Sequence, residues 1–367
     1  MSPPTRVAFI GLSASAWWAA AAHLPYLKSS PDYEIVALCN SSVEKARAAI
    51  EKFELGRGVR AYGDVEELAK DKEVDLVVCS INVAHHSTAI IPSIKAGKNV
   101  YVEWPLGHSL ADAQSLLELK NSHNITLANV GLQARQAPLI SKVKAIIERG
   151  GIGRVLSSTW AGHGMQGGGD VSEGMKYFLD AGVGGNFWTI HVGHAVDYVQ
   201  AVLGYGFTTP PKTLLQTRRP TLKITGKDGS VVDEAAKMET PDTIFLHGTL
   251  KSEVPLSMTF RTGAPFPGTP GLDWRIAGEE GEIRITAGGA FLQIGYEDAK
   301  VEVVRGGKVE SFKMGEFGEE EIDGVPFGNV SRVYRELREG RVNCSFEEAV
   351  ELHKVLEEAW KGNGYPV

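Results

Sequence analysis

A chain of 367 residues exceeds one ordinary domain, and with 43 % hydrophobic residues it has material for two cores. A formal net charge of -7 with no long Lys/Arg block excludes a basic nucleic-acid surface and an anionic membrane partner, which leaves small molecules or proteins. Cys39, Cys79 and Cys344 are too few for a disulfide framework and lack metal-ligand spacing, so no metal site is expected and a reducing, cytoplasmic location is.

The uncharged run from Val7 to Ala22 imitates a signal peptide, yet it divides into a strand, Val7 to Ile10, then Gly11, then an alanine-rich helix. Further apolar runs follow at Glu34 to Cys39, Val74 to Cys79, Asn99 to Val102 and Thr126 to Val130. Helical periodicity fills Val43 to Phe53, Val65 to Lys70 and Ser109 to Ser122 between them. Nearly all-apolar strands separated by helices predict a parallel sheet covered on both faces, the doubly wound dinucleotide fold.

From about Pro138 the pattern changes. One helix, Leu139 to Arg149, precedes strand candidates at Arg154 to Ala161, Lys212 to Arg218, Thr243 to Leu250, Leu256 to Arg261, Leu272 to Ala277 and Gly281 to Thr286. The run Ala161 to Asp170 is too glycine-rich for regular structure and reads as a mobile loop over a pocket, with His163 as a substrate contact or a surface turn residue. A last helix, about 345–361, starts at Ser345 with Glu347 and Glu348 in its first turn. The fold class is therefore α/β: an N-terminal Rossmann domain over 1–135 and a C-terminal α+β domain over 136–367 with a large, mostly antiparallel open sheet. The last helix is expected to pack back toward the N-terminal domain.

The dinucleotide loop keeps Gly11 but has Ser13 and Ala16 at the next two glycine positions of Gly-x-Gly-x-x-Gly. Small residues still allow close backbone approach to a pyrophosphate, and the hydroxyls of Ser13 and Ser15 can reach phosphate. After the second strand, Asn40, Ser41 and Ser42, with Lys45 one turn on, stand where a carboxylate would disfavour a 2′-phosphate. NADP is thus preferred over NAD, although the same residues also read as a helix cap.

Ser80-Ile81-Asn82-Val83-Ala84-His85, Ala96-Gly97-Lys98-Asn99-Val100, Glu103-Trp104-Pro105-Leu106 and Ile152-Gly153 together resemble the glucose-fructose oxidoreductase, inositol dehydrogenase and rhizopine-catabolism (Gfo/Idh/MocA) family. Gly11-Leu12-Ser13-Ala14-Ser15-Ala16 with Trp17, Gly131-Leu132-Gln133-Ala134-Arg135, Lys176-Tyr177-Phe178-Leu179-Asp180 and Gly193-His194-Ala195-Val196-Asp197 resemble a branch containing the fungal galactose-regulon repressor and its oxidoreductase-like paralogues. The resemblance implies cofactor contacts from Gly11, Leu12, Ser13, Ser15, Ala16, Trp17, Ser80, Ile81, Asn82, His85, Glu103, Trp104, Pro105 and Gln133. It also implies a homodimer or homotetramer through the C-terminal sheet.

Trp104 occupies the position of the family's usual proton-transferring lysine, and Ile190 and Val192 replace the Asp and Gly of Asp-x-Gly-x-His-x-x-Asp, in which His194 and Asp197 match. Trp104 offers only stacking or packing. His194 is then the leading acid/base on its unperturbed pKa, sharing a helical face with Asp197. Lys176 and Tyr177 are candidate replacements for the lysine. His191 and Arg135 are candidate substrate contacts, with an interdomain salt bridge as the other reading of Arg135. Glu103 reads as structural or as a nicotinamide-ribose contact, and Pro105 as shaping the turn with a cis bond.

Two functions follow from the resemblance. One is an NAD(P)-dependent oxidoreductase acting on a carbinol or carbonyl of a sugar, polyol or related metabolite. The other is an inactive dinucleotide-binding regulator that contacts a transcription activator and also resides in the nucleus.

Overall fold

A computed structural model describes residues 3–164, 166–317 and 328–366. In chain order the first sheet comprises β1 (Thr5–Ile10), β2 (Tyr33–Cys39), β3 (Arg60–Tyr62), β4 (Leu76–Cys79), β5 (Asn99–Glu103) and β6 (Ala128–Gly131), and the intervening helices are α1 (Leu24–Ser29), α2 (Val43–Lys52), α3 (Val65–Ala69), α4 (His86–Lys95) and α5 (Leu110–Ser122). All neighbouring strands are parallel, in the order β3-β2-β1-β4-β5-β6. That is the doubly wound arrangement, with its switch point between β1 and β4. Every residue of β4 and β6 is buried, as expected for strands covered on both faces.

Polar ties fix the strand starts. Arg6 forks onto Asp75, with Nε and the second guanidinium nitrogen at 2.9 and 2.8 Å. The Lys98 ammonium, largely buried, donates to the carbonyls of Asp71 and Val74 at 2.6 and 3.0 Å. The segment after Gly11 is not the uninterrupted alanine helix expected from sequence. Ala19–His23 forms a π-helical turn that leads into α1, and it aims His23 into the core.

The second body contains α6 (Pro138–Glu148), β7 (Val155–Gly164), β8 (Asp170–Ser172), α7 (Gly193–Leu203) and nine strands: β9 (Lys212–Gln216), β10 (Thr221–Thr225), β11 (Val231–Lys237), β12 (Thr243–Thr249), β13 (Pro255–Thr262), β14 (Leu272–Gly278), β15 (Gly281–Ala287), β16 (Lys300–Arg305) and β17 (Lys308–Lys313). Eight strands form one sheet, β17-β16-β15-β14-β7-β13-β12-β9, in which β7 and β13 are parallel and every other pair antiparallel. Burial alternates along β13, so one face is packed and the other open. On the packed face the indole of Trp160 donates to the Tyr198 hydroxyl of α7 at 2.8 Å.

The glycine-rich run differs from expectation. Residues 161–164 belong to β7, and Met165 lies outside the described residues. Gly167 N–H donates to Asp170 O, and the Thr262 hydroxyl donates to Gly167 O at 2.7 Å, so the turn is fastened to β13.

Two more helices close the chain, α8 (Gly328–Arg338) and α9 (Phe346–Gly362). The chain separates into two compact units, Met1–Gln133 with Ile322–His353, and Ala134–Glu321 with Lys354–Val367. The boundary expected from sequence assigns all of 136–367 to the second domain, whereas α8 and the first half of α9, the helix expected to pack back, group with the N-terminal unit. Asn129 Oδ1 accepts from the amides of Asn343 and Cys344 at 2.9 and 3.3 Å, which ties this return segment to β6. No helix among the described residues is long and apolar enough to cross a membrane.

Candidate functional site

In the first unit, the turns leaving β1, β2, β4 and β5 converge at the carboxyl edge of the sheet. Gly11 has φ +100°, and a Cβ there would lie 2.3 Å from Ser80 O and 2.4 Å from Ile81 Cγ2. Only glycine allows this approach of the two turns. The loop then folds tightly, with Ser13 N–H donating to Gly11 O and Ala16 N–H to Ser13 O, both at 2.9 Å. The hydroxyls of Ser13 and Ser15 lie 3.4 Å apart, and Trp17 beyond them is 65 % exposed. The Leu12 side chain is fully buried, so its contribution to a ligand is through main chain alone. Its carbonyl accepts from the Asn40 amide at 3.0 Å, tying the second strand end to the loop.

Ser42 caps α2 by accepting from Lys45 N–H, and the Lys45 ammonium donates to Ser41 at 2.9 Å. The segment is thus a helix cap that also carries a hydroxyl-ammonium pair. Lys52, unremarked in the sequence, reaches back to Ala14 O. Its spacing of seven from Lys45, which puts both on one helix face, is the signal that could have found it. A small-residue loop with two ammonium groups at its border fits the diphosphate of a dinucleotide.

After β4 two adjacent histidines face different surroundings. His85 is exposed, whereas His86 is buried with Nδ1 2.8 Å from Pro105 O and Nε2 3.1 Å from Ile81 O. Burial lowers the His86 pKa. Asn82 caps the helical turn by accepting from Ala84 N–H. Glu103 is buried and accepts from His23 Nε2 at 2.9 Å, while His23 Nδ1 lies 2.8 Å from the Tyr334 hydroxyl. A Cβ at Gly131 would approach Glu103 Oε2 to 2.5 Å. With its oxygens turned into the core, Glu103 takes the structural role of the two expected for it. Trp104, 5 % exposed, packs its ring against His353 at 4.8 Å, and the Trp104-Pro105 bond is cis. Gln133 is fully buried with neither amide atom hydrogen bonded.

In the second unit, Asp197 and Arg135 hold each other. Arg135 Nε lies 3.1 and 3.0 Å from the two carboxylate oxygens, and a terminal guanidinium nitrogen lies 2.7 Å from Oδ1. Asp197 is buried and the Arg135 side chain is 10 % exposed, so the structure shows an ion pair within one unit where a proton-handling role of Asp197 and a substrate role of Arg135 were expected.

His194, on α7, and His191, just before it, each have an Nδ1 atom that is sealed from solvent and without a hydrogen-bond partner among the described residues. Burial lowers both pKa values to about 3, with His191 adding to the shift of His194. The acid/base reading based on an unperturbed imidazole is therefore corrected. Each ring is neutral at physiological pH, and a neutral ring offers one N–H to a substrate oxygen. His191 packs against Phe291, Phe178 and Phe187 at centroid distances of 4.1, 5.1 and 5.5 Å.

Tyr177 packs edge-on to Phe178 at 4.8 Å, and burial pushes its pKa up to about 12, which keeps the phenol protonated. Lys176 is exposed on the same short helical segment, Glu173–Leu179. His163 does not join this group. It pairs in register with Arg261, while the adjacent Phe260, near His191, faces the other side of the sheet. Among the described residues no group of three or more His, Cys, Asp or Glu could hold a metal.

His191, half-buried, and His194, buried, give a pH prediction. Their folded pKa of about 3 lies below the unfolded value near 6.5, so between these limits the unfolded chain binds more protons. Stability from this source is complete above pH about 6.5 and falls as the pH drops toward 3. His191→Phe should flatten this dependence in a melting series from pH 7 to 4; an unchanged slope would contradict the neutral ring.

Comparison with known proteins agrees with this architecture. Residues 5–130 match the model of the oxidoreductase family with an NAD-binding Rossmann fold, and residues 138–287 match the Gal80p C-terminal domain. The dehydrogenase aclE of Aspergillus oryzae is 34 % identical over 299 residues, covering 78 % of this chain and 77 % of that protein. The chain belongs to the Gfo/Idh/MocA oxidoreductase family, with a C-terminal domain of the Gal80 type.

Within this family, the galactose/lactose metabolism regulatory protein GAL80 of Saccharomyces cerevisiae is 28 % identical over 301 residues, covering 79 % of this chain and 68 % of that protein. A crystal structure of a super-repressor mutant of Gal80p from the same organism superposes with a TM-score of 0.88 at 24 % identity, covering 98 % of this chain and 96 % of that one. That likeness is one of fold.

Proposed function

We propose that the protein is an NAD(P)-dependent oxidoreductase acting on a carbinol or carbonyl of a sugar, polyol or related metabolite. The observation that carries the reading is the pair His191 and His194: buried polar atoms are nearly always hydrogen bonded in folded proteins, and the Nδ1 atom of each ring has no partner among the described residues. The reading places a ligand oxygen at the other ring nitrogen, Nε2. The nicotinamide cofactor, when bound, supplies or accepts the hydride. Gly11 and its turn hold the diphosphate, His194 N–H holds the substrate oxygen, and Tyr177 serves as a second hydrogen-bond donor. Asn40, Ser41 and Lys45 favour NADP because the residue that follows β2 is Asn40 and not a carboxylate, and the Lys45 ammonium lies at Ser41.

A regulator reading is favoured by one observation. The position of the family's lysine carries Trp104, buried against His353, so no proton-transfer group stands there. Under this reading the protein binds the dinucleotide, contacts a transcription activator and enters the nucleus; under the first it is cytoplasmic. Self-association through the open sheet face is supported by Leu214 and Phe245, which are neighbours in register and both exposed.

Titration of intrinsic tryptophan fluorescence, with Trp17 beside the loop, should give saturable binding of both dinucleotides, tighter for NADP. A clear preference for NAD would overturn the Asn40 argument. Cofactor turnover across an aldose, polyol and ketone panel separates the two functions, and binding without turnover on any of them would favour the regulator.

A further inference from the structure

We infer that His86 is a positioning residue for the nicotinamide half of the cofactor groove, holding the turn after β4 and the turn after β5 at a fixed separation. The inference rests on the dinucleotide-binding reading.

In the order β3-β2-β1-β4-β5-β6, the adenosine end belongs to the β1-β2-β3 half and the nicotinamide end to the β4-β5-β6 half. The ladder between β4 and β5 ends at the pair Cys79 and Val102. Beyond it the chains diverge into Ser80–Asn82 and Trp104–Pro105, and the His86 imidazole spans them, 3.1 Å from Ile81 O and 2.8 Å from Pro105 O. The ring is 1 % exposed, so water does not compete for either carbonyl. A neutral imidazole donates to one carbonyl at a time, and it remains a rigid spacer between them.

Loss of the ring would let the Ile81 turn and the Pro105 turn move independently. The β1-β2 turn, where Asn40 fastens to Leu12 O, has its own tie and would stay in place. The expected signature is therefore selective. A residue that merely supports the fold would weaken every ligand of the groove, whereas a spacer of the nicotinamide half weakens the whole dinucleotide and spares its adenosine fragment.

The test compares binding of NADP and of 2′,5′-ADP to the full chain by calorimetry. His86→Leu should weaken NADP about tenfold, the loss expected for one neutral hydrogen bond, and leave 2′,5′-ADP affinity unchanged. His86→Asn retains a donor toward Pro105 O and His86→Gln one toward Ile81 O, and at least one of them should recover most of the NADP affinity with a wild-type melting temperature. Equal weakening of both ligands, no weakening of NADP, or recovery by neither amide overturns the inference. Wild-type protein that binds no dinucleotide would remove the underlying reading as well, an outcome separate from wild-type binding that the leucine leaves intact.

Discussion

His194→Ala should lower turnover about a hundred- to a thousand-fold, the loss seen when a preorganised hydrogen-bond donor to a reacting oxygen is removed, while dinucleotide affinity stays as in the wild type. The ring sits on α7 with no partner for Nδ1 among the described residues, so removing it breaks no hydrogen bond at that atom. The pH dependence carries a second check. With the pKa at about 3, His194 gives kcat/KM no acidic limb between about pH 5 and 8. An acidic limb near pH 6.5 that vanishes in His194→Ala would show the imidazole titrating as an ordinary acid, and would restore the role expected from the motif alone.

Arg135→Met should destabilise the second unit by about 3–5 kcal/mol, because the Asp197 carboxylate is left buried without its guanidinium. Replacing both, Arg135→Met with Asp197→Leu, should recover much of that loss, since two apolar side chains leave no uncompensated charge. Urea unfolding of the single and double variants decides the matter. A single-variant loss below about 1 kcal/mol would place the pair among solvated surface bridges. The same measurement separates structure from catalysis: if the double variant folds well and retains turnover, Asp197 handles no proton.

The N-terminal fold was legible because its strands are nearly all apolar and its helices fall between them in order. What escaped were elements with weak local signals. The three residues of β3 are all half-buried, and α4 carries Pro92 in its interior, which masks its periodicity. Strands β16 and β17 are joined by Gly306-Gly307, both at positive φ, a two-residue hairpin signal that the sequence does carry. Gly11 could be read from its place after an apolar strand, and the capping role of Ser42 from the helix it precedes.

Site chemistry was less legible, because it depends on what surrounds a side chain. Nothing in the spacing of Arg135 and Asp197, 62 residues apart, announces that they neutralise each other. Adjacent His85 and His86 are interchangeable in a sequence, and only the direction of the helix start decides which one enters the core. His194 was found by motif, but the neutrality of its ring comes from burial, which a motif does not encode.

The packing of Trp104 on His353 bears on how this branch could regain or lose chemistry over evolutionary time. A lysine introduced at 104 alone would press a cation onto the flank of a second imidazole in a dry seam, an environment that disfavours its charge. A lysine at 104 is therefore expected to need a second exchange at 353 before its ammonium is tolerated.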